Sequence, residues 1–80
     1  MAQLTKMQAV GYIATALADQ KLEGESDLAF VLRIRAAQRV RHDARRAKGY
    51  ANVDRNLKDI ALKQYYVENP DTEETVADLD

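Results

Sequence analysis

From Asp27 to Lys48 the chain runs for 22 residues without a glycine or proline. Ser26 precedes this stretch and Gly49 follows it, a residue that caps a helix start and one that ends a helix. The interval predicts one helix over 27–48, roughly 33 Å long. Asp27 suits the positive end of its dipole. An element of this size in a chain of 80 residues limits everything else. So short a chain buries only about 60% of its unfolded surface, which leaves one core and one domain.

Two stripes run along this helix. Ala29, Ala36, Ala37, Val40, Ala44 and Ala47 form a small-residue stripe, suited to close approach by another helix. Leu28, Val31, Leu32, Arg35, Arg39, His42 and Arg46 form the second, which changes from apolar to basic partway along. Arg33 falls in the alanine stripe, so it must snorkel outward or pair with a carboxylate.

A second helix is expected over about 5–23. Thr5 and Gln8 fit a capping box, and Met7, Val10, Ile13, Ala14, Leu17 and Ala18 then recur on one face. Tyr12 lies on the polar side of that pattern, and Gly24 supplies a stop. Gly11, inside the helix, either costs roughly 1 kcal/mol against Ala or permits close contact. A third helix is expected over about 53–68, ended by Asn69 before Pro70. Tyr50, Val53, Leu57, Ile60, Gln64 and Val67 recur there at spacings of 3, 4, 3, 4 and 3. Leu62 and Tyr66 fall on the other side.

No strand alternation and no internal repeat is visible. The expected fold is all-α: a helical hairpin plus a third helix over residues 1–69, with a mobile acidic tail over 70–80. The longest apolar run, Leu28 to Leu32, is far short of a membrane span, and the chain opens on no signal-like segment. A cytoplasmic protein is therefore expected, with no membrane partner.

The formal charge of −1 hides a polarity. Residues 27–48 carry Arg33, Arg35, Arg39, Arg41, Arg45, Arg46 and Lys48 against Asp27 and Asp43, a net +5. The tail carries Asp71, Glu73, Glu74, Asp78 and Asp80 and no cation. With no cysteine and one histidine, thiol chemistry and Cys or His metal sites are excluded. No glycine-rich phosphate loop exists, and most of the acidic residues gather in the tail or beside turns. The expected protein is not an enzyme and uses no cofactor or metal.

Two kinds of partner remain. Arg35, Arg39, His42 and Arg46 are spaced 4, 3 and 4 and share one face, which Arg41, Arg45 and Lys48 widen. Such a face meets phosphate, protein carboxylates or solvent. A base-reading helix-turn-helix does not fit, because the first two turns of the long helix are apolar. Leu28, Val31, Leu32, Leu62 and Tyr66 are the candidate apolar interface. The leading expectation is a small, stoichiometric protein-binding protein, an inhibitor or assembly component of bacterial or bacteriophage (viral) type. Its partner is a protein with an acidic patch or a second copy in a homodimer. The alternative is non-specific nucleic-acid binding through the arginine face.

Overall fold

Local capping chemistry sets where the first two helices begin. Gln8 N–H donates to Thr5 Oγ1 at 3.2 Å, and Thr5 N–H donates to Gln8 Oε1 at 2.9 Å. This reciprocal box opens helix α1 (Lys6–Ala16). Ser26 Oγ accepts from Ala29 N–H at 3.2 Å and opens α2 (Asp27–Asp43). Between them lie a 3-10 turn (Ala18–Gln20) and Gly24, whose φ of 78° is the left-handed conformation that glycine adopts at least cost. Helix α3 (Gly49–Glu68) ends where Asn69 meets Pro70. Two short strands, β1 (Ala2–Leu4) and β2 (Glu74–Val76), complete the chain. The computed structural model describes residues 2–44, 49–76 and 79.

The three helices meet in one core. Helix α1 contributes Ala9, Val10, Ile13 and Ala14, α2 contributes Phe30, Val31 and Ile34, and α3 contributes Val53, Leu57 and Ala61. Phe30, Ile13, Leu57 and Val53 are its largest fully buried side chains. Helix α3 thus buries the middle of the expected seam, while Val67 at its end is 74% exposed.

Several expectations are corrected. Helix α1 stops at Ala16, and its continuation tightens into the 3-10 turn through Gln20 N–H to Leu17 C=O at 2.9 Å. Helix α3 begins at Gly49, a turn earlier than 53. The alanine stripe of α2 does not face a helix: Ala29, Ala36, Ala37 and Ala44 are exposed, Val40 is 71% exposed, and Ala47 lies outside the described residues. Buried area decides this orientation. Phe30, Val31 and Ile34 remove far more apolar surface from water than alanines do. Tyr12 is not on a polar face; it packs against the core, edge-on to Tyr65 with ring centroids 5.4 Å apart. Gly11 is not a close-contact glycine, since a Cβ there would meet nothing within 4 Å.

The tail expected over 70–80 contains a strand. β2 pairs in parallel with β1, in the register Ala2↔Glu74, Gln3↔Thr75 and Leu4↔Val76. A turn aims it: Thr72 N–H and Thr72 Oγ1 both donate to Asn69 C=O, at 3.3 and 2.8 Å. Tyr66 then grips Glu74. Its hydroxyl donates to Glu74 C=O and accepts from Glu74 N–H, both at 3.0 Å. Val76 and Leu79 pack against the helical core.

Candidate interaction surfaces

The charged face of α2 is where the sequence placed a site, and the structure divides it. Arg35 points to α3 and forms a fork on Asp54, Nε to Oδ1 at 2.9 Å and Nη2 to Oδ2 at 3.2 Å. Its Nη1 donates to Leu79 C=O at 3.2 Å. Arg39, one turn on, reaches the same carboxylate at 3.3 Å and lies 5.3 Å from the Tyr50 ring centroid. The side chains of Arg35 and Asp54 are only 11% and 16% exposed. Arg35 is thus held nearly buried, and Arg39 half-buried, by Asp54, a residue that no sequence pattern singled out. Arg45, Arg46 and Lys48 lie outside the described residues.

Of the two courses open to Arg33, snorkelling outward or pairing with a carboxylate, the structure shows the pairing. Its Nε donates to Glu25 Oε2 at 2.9 Å, and its Nη2 donates to Glu25 Oε1 and to Gln20 C=O, both at 3.0 Å. The hydrogen bonds from Arg33 hold the Glu25 carboxyl below the usual carboxylate range, and the same contact raises Arg33.

Two surface features remain. One is an apolar groove between α1 and α2, about 130 Å³ in volume. Met7, Leu28 and Leu32 along it are 62%, 44% and 50% exposed. Val31, expected at an interface, is 3% exposed and forms the groove's floor with Val10. Lys6 and Arg35 flank it, and Leu79 also lines it. The structure therefore brings Leu28 and Leu32 together with Met7. Leu62 and Tyr66 are not part of this groove; Leu62 is half-buried, and the Tyr66 hydroxyl serves β2.

The other is a polar cleft between the last turns of α2 and the first turns of α3. It consists of two adjoining hollows that share His42 and Asn56. Gln38 and Arg41 complete the first, of about 260 Å³; Asn52, Arg55 and Asp59 complete the second, of about 300 Å³. Asn52, Arg55, Asn56 and Asp59 were not singled out in the sequence because their meeting with α2 is a tertiary event. Their spacing on α3, with pairs three and four apart, was the available signal.

Among the described residues no group of His, Cys, Asp and Glu is placed to hold a metal ion, and no helix is long and apolar enough to cross a membrane. No protein-family model matches this chain, and neither a curated protein nor a solved structure matches it.

Proposed function

We propose that this chain is a small, non-enzymatic cytoplasmic interaction protein that binds another protein stoichiometrically through the α1–α2 groove. The observation that carries the reading is the exposure of Met7, Leu28 and Leu32 along one groove with an apolar floor. Single exposed apolar residues are ordinary on a protein surface, but three lining one hollow make a patch with shape. The groove's flanks select the partner's chemistry. Lys6 is the groove's exposed cation, since Arg35 is already paired with Asp54, so a two-fold contact of the groove with itself would bring two copies of Lys6 into one contact. A partner segment with apolar side chains and flanking carboxylates complements it better. The chain's own Leu79 lines the groove and has aspartates on both sides in sequence, an intramolecular example of that chemistry. This favours an acidic protein partner over the two-fold homodimer.

The test is capture with the full chain, identification of the bound protein and reconstitution of the purified pair. A one-to-one complex is expected, and Leu28→Asp with Leu32→Asp should abolish it while the far-ultraviolet circular dichroism stays helical. A complex indifferent to both substitutions, or a chain that reconstitutes with no protein, overturns the proposal.

A further inference from the structure

The cleft between α2 and α3 is separate from the groove, and its arginines differ from the three paired arginines of α2. Arg33 is paired with Glu25, and Arg35 and Arg39 are paired with Asp54. Arg41 and Arg55 have no carboxylate partner among the described residues, both are exposed, and both open onto this cleft from different helices. Around them stand the amides of Gln38, Asn52 and Asn56 and the imidazole of His42. The amides are neutral hydrogen-bond donors, and the imidazole carries an N–H donor as well. One carboxylate, Asp59, lies in the second hollow. Asp54, the nearest acidic neighbour in sequence to Arg55, is already neutralised by two arginines.

Gln38 stands in the wall of the first hollow. In sequence, the stretch from 41 to 55 holds Arg41, Arg45, Arg46, Lys48 and Arg55 against Asp43 and Asp54.

We propose that this cleft binds the phosphates of a nucleic-acid backbone, with Arg41 and Arg55 as the charged contacts. Phosphate oxyanions are the shared chemistry. The shape favours a polymer: two open hollows joined through His42 and Asn56 suit successive phosphates along a strand, whereas a single small anion would want one enclosed cup. The amides and imidazole contact phosphate oxygens and read no base, so binding is independent of sequence. This site differs from the arginine face read in the sequence. Arg35 and Arg39 are committed to Asp54, and Arg55 on α3 takes their place.

The test is titration of a fluorescent random-sequence DNA duplex with the full chain, repeated over a range of salt. Log affinity should fall linearly with log salt, by about 0.9 per phosphate neutralised. Arg41→Ala with Arg55→Ala should make that slope shallower by about two and weaken all sequences alike. Lys6→Ala, on α1, should leave the slope unchanged. Both arginines are exposed, so circular dichroism of the double variant should match that of the original chain. The proposal fails if the original chain does not bind duplex at low salt. It also fails if the double variant keeps the original slope, or if inorganic phosphate competes as well per phosphate as the duplex does.

Discussion

The two halves of α2 face the same neighbour and hold it by different physics. The first half presents Phe30, Val31 and Ile34 to a dry layer shared with α1 and α3. The second presents Arg35 and Arg39 to Asp54, then Gln38 and His42 to an open cleft. The first layer is non-directional, and its strength scales with the area removed from water. The second is directional: the fork of Arg35 on Asp54 is satisfied at one rotation and one axial position of α3. We read the apolar layer as the source of stability and the ionic layer as what aligns α2 and α3.

The largest break in that comparison should come from the apolar half. Phe30→Ala should cost about 3–5 kcal/mol. That is much of the roughly 4–12 kcal/mol expected for a domain this size. Urea melts should show a population already partly unfolded without denaturant, and Ile34→Val should cost only about 1 kcal/mol on the same assay. A Phe30→Ala protein as stable as the original would remove the apolar layer from its assigned role.

A smaller effect is expected from the ionic half. Asp54→Ala strands Arg35 and Arg39 in a partly buried site and should cost about 2 kcal/mol, since hydrogen bonds to charged groups are worth about 1.5–3. Arg35→Met combined with Asp54→Leu should recover most of the loss, because a packed apolar pair can replace a buried ionic one. The same protein should show broader amide resonances for α2 and α3, the signature of lost alignment. Full stability with sharp resonances in Asp54→Ala would show that the ionic layer aligns nothing.

The smallest effect lies outside both layers. The Glu25 carboxyl is held below its ordinary range by Arg33, so the unfolded chain takes up this proton before the folded one does. Its contribution to stability is therefore complete above the ordinary carboxylate pKa and is lost as pH falls through the lowered folded value. In Glu25→Gln this part of the acid sensitivity should vanish. Thermal melts between neutral pH and the acid range, compared for the two proteins, check it.

What the sequence made legible was local. The Thr5–Gln8 box, the Ser26 cap, the Asn69–Pro70 stop and the buried middle of the Val53–Leu57–Ile60 seam depend on neighbours within a turn or two, and all stand in the structure. What was misread was relational. Alanines on α2 look like a contact face until Phe30 and Ile34 claim the core, and Tyr12 looks polar-facing until Tyr65 arrives from another helix. The arginine face looked like one face in the sequence, whereas Arg35 and Arg39 turn to Asp54 and Arg41 and His42 line the cleft. No pattern around residue 54 announces that an aspartate there will meet Arg35, 19 positions earlier. The two strands have three residues each, too few for an alternation to be seen.

The pairing of β1 with β2 has a consequence for the order in which the fold is assembled. Ala2 and Glu74 are 72 positions apart. Parallel neighbours need a crossover connection, and here the crossover is the whole three-helix body. Closing an unstructured ring of that length costs on the order of 4 kcal/mol of chain entropy, far more than three residues of ladder return. The strands therefore meet only after the helices have shortened the path between them. They are the last part of the molecule to form and the first to open, and their backbone amides should exchange with solvent well before those of Val53 and Leu57. An intact β1–β2 ladder is thus a clasp that closes on a finished fold, and its protection against exchange reports that folding is complete.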